Sequence, residues 1–256
     1  MLLAIDIGNS NVVFGVIRGK EILDYWRVGT DLHKTAEEYG ILFREILRTA
    51  GVEPVEVRRG IVSCVVPPIL SVFERMLLRY FKVKPLVVDH RLDSGLKILY
   101  DNPGEVGADR IVNAVAALEL YGGPVIVVDF GTAVTFCAVS AEGEYLGGVI
   151  TPGIQISLEA LFQRASKLPR LTLACPGSVI GKDTVSSMQA GIVFGYAGMV
   201  DEIVGRMKVE MDGDPHVVAT GGIAEIIAPQ TRTIREINPM LTLEGLRILD
   251  ERNRLA

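Results

Sequence analysis

The sequence predicts an α/β protein built from two similar halves, and three observations carry that expectation. Apolar runs of strand length alternate with runs of helical spacing along the whole chain. A strand-and-turn pattern, Ala4-Ile5-Asp6-Ile7-Gly8-Asn9, returns 123 residues later as Val127-Val128-Asp129-Phe130-Gly131-Thr132. The 256 residues, 49% apolar and 22% charged, suit one large domain or two ordinary ones and exclude disordered and low-complexity classes. The repeat places the boundary near Tyr121-Gly122-Gly123-Pro124, giving halves of 1–120 and 121–256.

In order along the chain, Leu2–Ile7 and Val12–Ile17 are β-rich runs separated by the turn residues Gly8-Asn9-Ser10-Asn11. A third strand covers Ile22–Val28. Thr35-Ala36-Glu37-Glu38 is a capping box, and Tyr39, Leu42, Phe43, Ile46 and Leu47 then share one helical face up to a stop at Gly51. Gly60–Val66 reads as a buried strand. After Pro67-Pro68, helical spacing runs from Ile69 to Tyr80, and Leu86–Asp89 is another strand. In the second series Val106–Leu120 is helical and Val125–Asp129 is a strand, with Thr132–Ser140 and Tyr145–Ile150 as its hairpin partners. Helices are predicted over Ile154–Gln163 and Thr184–Met207. His216–Thr220 is a strand ending in Gly221-Gly222, with a short helix after it. Ile234–Ile237 is the last strand, and Pro239 opens the terminal helix as its first residue.

Charge and composition narrow the function classes. The 26 basic residues against 31 acidic give a net charge of −5, without a basic run, so nucleic acid is excluded as an expected partner. Cys64, Cys137 and Cys175 are odd in number and widely spaced, and read as small buried hydrophobes in a reducing compartment. The first residues carry a carboxylate, Asp6, where a signal peptide needs an apolar core. The uncharged stretch Thr184–Val200 falls short of a membrane span and reads as a buried or interface helix. The expected setting is the cytoplasm, away from any membrane.

The chemistry concentrates in three places. In the first turn Gly8 is expected to open backbone conformations closed to other residues, so that N–H groups converge on an anion. Asn9, Ser10 and Asn11 add short donors, and Asp6 offers a carboxylate suited to magnesium or its waters. Asp129, Gly131 and Thr132 repeat the arrangement. Two such loops facing each other could clamp a nucleoside triphosphate with its metal; two ordinary hairpins are the plainer alternative. The densest polar run is Asp101-Asn102-Pro103-Gly104-Glu105-Val106-Gly107-Ala108-Asp109-Arg110, a turn leading into a helix start. An acid there can take a hydroxyl proton and a guanidinium can hold an anion, although a solvated helix start would look the same. Other nucleotide motifs fail: GxGxxG is absent, and beside Gly181-Lys182 stands Asp183 where a P-loop requires Ser or Thr. His33, His90 and His216 are isolated, giving no triad or zinc pattern.

Together, Asp6-x-Gly8-Asn9-Ser10-Asn11, the Asp101–Arg110 run continuing into Ile111-Val112-Asn113-Ala114, and Asp129-Phe130-Gly131-Thr132-Ala133 resemble type III pantothenate kinase. Gly147-Gly148-Val149-Ile150-x-Pro152-Gly153 and Thr220-Gly221-Gly222 fit the same family, and Ser10 stands where many members carry Thr. The resemblance implies the acetate/sugar kinase–Hsp70–actin fold: two ribonuclease-H-like domains with the nucleotide between them. It implies ATP-dependent phosphorylation of pantothenate to 4′-phosphopantothenate, the first step towards coenzyme A, with Mg2+ accompanying ATP. Carried over by residue, Asp6, Ile7, Gly8, Asn9, Ser10, Asn11, Val12 and Val13 form the first phosphate loop and Thr132 contacts ATP. Asp109 is the base for the pantothenate hydroxyl. Tyr100, Gly107, Ala108, Asp109, Arg110 and Thr184 contact pantothenate, with Arg110 facing its carboxylate. Asp129 binds a monovalent cation, potassium or ammonium. The resemblance also implies a homodimer with the substrate pocket at the subunit interface. A transcription accessory factor of the same family, and an actin-fold kinase for another small alcohol, are the alternatives; the four charged residues Asp6, Asp109, Arg110 and Asp129 favour the enzyme, and the Asp101–Arg110 run favours pantothenate.

Overall fold

The computed structural model describes residues 1–254, and its first three strands form an antiparallel meander: β1 (Leu2–Ile7), β2 (Asn11–Arg18) and β3 (Glu21–Gly29). β1 is buried along nearly its whole length, as the unbroken apolar run before Asp6 requires. α1 (Ala36–Thr49) starts at the predicted capping box, with Thr35 accepting from the Glu38 N–H and the Glu38 carboxylate accepting from the Thr35 N–H. Its Tyr39 and Phe43 enter a core with Phe14 and Phe73; the Phe14 and Phe43 rings stack at 3.9 Å. Each such ring contributes about 1.5–3 kcal/mol by burial.

β4 (Arg59–Cys64) runs parallel to β1. It stops two residues before the predicted Val66, and the Val65 N–H makes the closing bond to β1, donating to the Ile7 carbonyl at 3.1 Å. α2 (Pro67–Met76) opens on its two prolines, and the helical spacing expected through Tyr80 continues as a π turn over Leu77–Phe81, closed by Lys82 at φ 58°. β5 (Leu86–Val87) pairs with β4, completing a five-stranded sheet of order β3-β2-β1-β4-β5.

A two-residue strand that the sequence does not reveal, β6 (Lys97–Ile98), comes next. α3 (Ala108–Tyr121) begins two residues later than predicted, since Val106 is extended after a 3-10 turn at Pro103–Glu105. β7 (Val125–Phe130), β8 (Ala133–Val139) and β9 (Glu144–Pro152) form the second meander. α4 (Ile154–Arg164), α5 (Thr184–Glu210), β10 (His216–Thr220), α6 (Ala224–Ile227) and β11 (Glu236–Ile237) follow. The sheet order is β11-β10-β7-β8-β9-β6. Without β6 it repeats the first sheet strand for strand: an antiparallel meander, then two parallel additions beside its first strand. Val128, Phe130, Phe136, Val193 and Val217 lie in its core.

α7 (Leu241–Arg252) starts two residues after Pro239, which lies in the preceding turn; there the Asn238 carboxamide accepts from the Met240 N–H at 2.9 Å. The chain divides into one compact unit of Met1–Leu96, Asp101–Ala116 and α7, and another of Lys97–Tyr100 and Ala117–Met240. The terminal helix, which a division at residue 120 assigns to the second half, therefore groups with the first. It packs on β1, β2 and β4, and its Gly245 lies against the Val112 backbone. No helix among the described residues is long and apolar enough to cross a membrane.

The expectation for the cysteines needs correcting. Only Cys137 is buried; Cys64 is half-buried at a strand end and Cys175 is exposed in the long segment after α4, and all three are free thiols.

One ion pair ties α5 to the segment before β11. The buried Asp201 carboxylate accepts from the backbone N–H groups of Arg232 and Thr233, the Thr233 hydroxyl and the Arg232 guanidinium, at 2.8–3.1 Å. Burial pushes its pKa up, but these donors together hold it below the usual Asp value. Asp201→Ala is expected to lower stability at neutral pH by roughly 2–3 kcal/mol, because it strands several donors at once. A depressed carboxylate stabilises the fold above its unfolded pKa and ceases to do so as pH falls through the folded one. Urea unfolding of both proteins should therefore show a gap at pH 7 that closes in strong acid.

Candidate active site

The first loop is a tight connection between β1 and β2, with Ile7 opposite Val12 and Asp6 opposite Val13. The Gly8 N–H donates to the Asn11 carbonyl at 3.0 Å, and the Thr30 hydroxyl donates to the Gly8 carbonyl at 2.6 Å. Gly8 does not take the left-handed conformation expected of it. It is glycine for closeness: a Cβ there would lie 3.1 Å from the Asn11 carbonyl oxygen. Asn9, Ser10 and Asn11 are exposed at the strand ends, whereas Ile7 and Val12 are buried in the core and offer only backbone atoms. Asp6 is half-buried as the penultimate residue of β1.

The second loop repeats the design with one residue fewer: Phe130 lies opposite Val134, and the Gly131 N–H donates to the Ala133 carbonyl at 3.1 Å. Two distant glycines press against it. Gly153 caps α4 so closely that a Cβ would collide with the Thr132 carbonyl. Gly221, at φ 95°, would place a Cβ 2.6 Å from the Phe130 carbonyl oxygen and 2.7 Å from Asp129 Oδ1. A carboxylate oxygen and a backbone carbonyl oxygen thus converge on one backbone cradle. That is a pair of hard oxygen donors, which suits a hard cation and does not suit a thiophilic metal. No group of three or more His, Cys, Asp or Glu side chains with metal-binding geometry occurs among the described residues.

The Asp101–Arg110 run folds in two steps. The Asn102 carboxamide accepts from the Gly104 N–H at 3.2 Å and donates to Glu105, shaping the 3-10 turn. The Gly107 carbonyl then accepts from the Arg110 and Ile111 N–H groups at 3.0 and 3.1 Å and starts α3. Asp109 sits in the first helical turn, its carboxylate accepting from the Arg110 N–H at 2.8 Å. That carboxylate folds back over Gly107, where a Cβ would lie 2.5 Å from Asp109 Oδ1. Burial pushes the Asp109 pKa up, and the Arg110 N–H and the guanidinium charge offset it only in part. Ala108 and Arg110 are buried.

Within the first unit these parts adjoin. A cavity of about 320 Å³ is lined by Cys64, Val65, Val88, Asp89, His90 and the residues from Gly104 to Ala108. Val65 links the two motifs: its N–H binds the Ile7 carbonyl, and its side chain lies 3.6 Å from the position a Gly107 Cβ would take. Burial, with the Asp6 charge adding to it, raises the Cys64 thiol pKa, which places Asp6 near the same wall. The sequence does not single out Val65, because only the fold shows what it touches.

Tyr100 and Thr184 belong to the second unit. The Tyr100 ring lies 6.4 Å from that of Tyr145 and against Gly147, whose φ of 134° explains a glycine there. Thr184 is exposed as the first residue of α5, after Asp183, whose carboxylate accepts from the Ser186 N–H at 2.9 Å. It lines an open cavity of about 540 Å³ with Leu168, Gly181, Lys182, Asp183, Ser187 and Met188.

A family model described as type III pantothenate kinase matches residues 2–206. The type III pantothenate kinase of Myxococcus xanthus (strain DK1622) is 56% identical over 256 residues, spanning all of both chains. That of Geobacter sulfurreducens (strain ATCC 51573 / DSM 12127 / PCA) is 56% identical over 254 residues, covering 99% of this chain and 100% of the relative. Among solved structures, the activator of the 2-hydroxyisocaproyl-CoA dehydratase from Clostridium difficile, with bound ADPNP, aligns at a TM-score of 0.58. It is 11% identical and covers 100% of this chain and 97% of its own, a likeness of fold alone. With the repeated sheet order, the architecture is the duplicated ribonuclease-H-like fold of the acetate/sugar kinase–Hsp70–actin class.

Proposed function

The chain belongs to the type III pantothenate kinase family, and from that premise we propose how its residues divide the work. It phosphorylates pantothenate to 4′-phosphopantothenate at the expense of ATP, the first step of coenzyme A biosynthesis, and takes ATP with a divalent metal. The observation that carries the assignment of roles is Asp109: a carboxylate held in the first turn of α3 and kept basic by burial.

Phosphoryl transfer needs positioning and charge neutralisation more than covalent help from the protein. Asp109 orients the primary hydroxyl of pantothenate for in-line attack and accepts its proton, a role that a raised carboxylate pKa suits. Gly107 and Ala108 offer backbone to the same substrate, and Arg110 takes its carboxylate. Tyr100 contacts the substrate and Thr184 reaches it. The segment Asp6–Val13 cradles the phosphates through backbone N–H groups and the short side chains of Asn9, Ser10 and Asn11, and Thr132 contacts the nucleotide from the second loop. Mg2+, when bound with ATP, neutralises charge on the phosphates. Asp129 would hold a potassium or ammonium ion, which would offset the remaining crowding of like charges.

The assembly we propose is a cytoplasmic homodimer. Supporting it, α5 exposes Gly191, Gly195 and Gly198 on a face where added Cβ atoms would meet nothing within 4 Å, leaving room for a second helix to approach closely. Three free thiols suit a reducing compartment.

The test is transfer of the ATP γ-phosphate to pantothenate, with potassium chloride titrated against sodium chloride at fixed ionic strength. Transfer is expected to rise with potassium, and Asp129→Ala is expected to lose that stimulation and to use ATP poorly. An unchanged potassium response in Asp129→Ala would place the cation elsewhere. Absence of transfer to pantothenate in the folded parent would overturn the assignment.

A further inference from the structure

Ser63, a residue outside every motif above, is the penultimate residue of β4 and lies in register with Asp6 across the parallel β1–β4 pair. Paired positions of adjacent strands point to the same face, with strands about 4.8 Å apart, so its hydroxyl is within reach of the Asp6 carboxylate. Ser63 is fully buried, and its Oγ has no hydrogen-bond partner. A buried hydroxyl without a partner destabilises a fold and is rare enough to need a reason. The second half supplies an independent parallel. Thr220 of β10 is in register with Asp129 of β7, and it too is buried. Both halves therefore place a buried hydroxyl beside the acid at the mouth of the loop. A general demand of strand packing would be met by alanine or valine.

We infer that Ser63 is a positioning residue for Asp6, its hydroxyl donating a hydrogen bond to the Asp6 carboxylate when nucleotide phosphates occupy the first loop. The bond fixes the carboxylate rotamer in the loaded state, and in the ligand-free protein the donor waits unpartnered. This rests on the reading of Asp6–Val13 as a phosphate loop.

Three variants test it: Ser63→Ala, Ser63→Thr and Asp6→Asn. The readouts are Tm without ligand, calorimetric binding of ADP with Mg2+, and KM for ATP and for pantothenate. Ser63→Ala is expected to keep or raise Tm, since it removes an unsatisfied buried group, and yet to weaken Mg–ADP binding about tenfold or more. KM for ATP should rise while KM for pantothenate stays at the parental value, and Ser63→Thr should restore binding. Parental nucleotide affinity in Ser63→Ala, with or without a drop in Tm, overturns the inference. If Asp6→Asn also binds as the parent does, the phosphate-loop assignment falls with it; if Asp6→Asn binds weakly, the Ser63 inference alone fails.

Discussion

Asp109→Asn is expected to lower kcat by about 10²–10⁴-fold, the span associated with loss of a positioned general base. Binding of ATP and of pantothenate should stay within a few fold, because a base acts on the hydroxyl in the transition state and contributes less to the ground state. Asparagine keeps the shape and can still accept the Arg110 N–H bond that Asp109 accepts at 2.8 Å. Full activity in the purified, folded variant would remove Asp109 from the mechanism. Two pH measurements sharpen the test. Because burial raises the Asp109 pKa, the acid limb of kcat/KM should lie above the usual carboxylate range near 3.9. A carboxyl whose folded pKa is raised favours the fold below its unfolded pKa, and that contribution is lost as pH rises through the folded one. The ionised Asp109 thus opposes folding at neutral pH. The dead variant should melt at a higher temperature than the parent at pH 7, with the difference vanishing in acid. A catalytic carboxylate held at a cost in stability would show both effects, and a surface helix-start acid would show neither.

Much of this arrangement is legible in the sequence because its signals are local. An aspartate closing an otherwise apolar strand, twice, 123 residues apart, is enough to announce the duplication. Thr35 and Glu38 fix the start of α1 through bonds three residues apart. What the sequence hides depends on partners distant along the chain. β6 is a strand only because Lys97 and Ile98 pair with Glu144 and Tyr145. α7 groups with the first unit because it packs on β1, β2 and β4, with Gly245 close against Val112, pairings that no periodicity encodes. Gly8 suggests dihedral freedom, but what the fold adds is a tight approach, with the Asn11 carbonyl oxygen 3.1 Å from where a Cβ would lie. The same holds in the site: Gly107, Asp109 and Arg110 stand in one short run, whereas Val65, Ser63 and Gly221 acquire their meaning from register and close approach.

The largest restoration of activity is expected from mixing two dead proteins. In the proposed homodimer, Thr184 is supplied to the pantothenate pocket of the other subunit. Its exposed place at the start of α5, beside an open cavity, leaves it available for that use. Asp109→Asn removes the base, and Thr184→Arg fills the substrate space with a long cationic side chain; each homodimer should be inactive and dimeric by light scattering. Subunits are then exchanged by mild denaturation and refolding. In a two-fold symmetric heterodimer, one site takes both lesions and the other combines an intact Asp109 from one chain with an intact Thr184 from its partner. Random reassociation makes half of the dimers mixed, each with one good site of two, so activity should return to roughly a quarter of the parental value. If Thr184 serves the pocket of its own subunit, every site in the mixture keeps one lesion and activity stays at the background of the separate variants. The two outcomes differ by orders of magnitude against a background set by the Asp109→Asn protein alone, so activity by itself decides which subunit supplies Thr184.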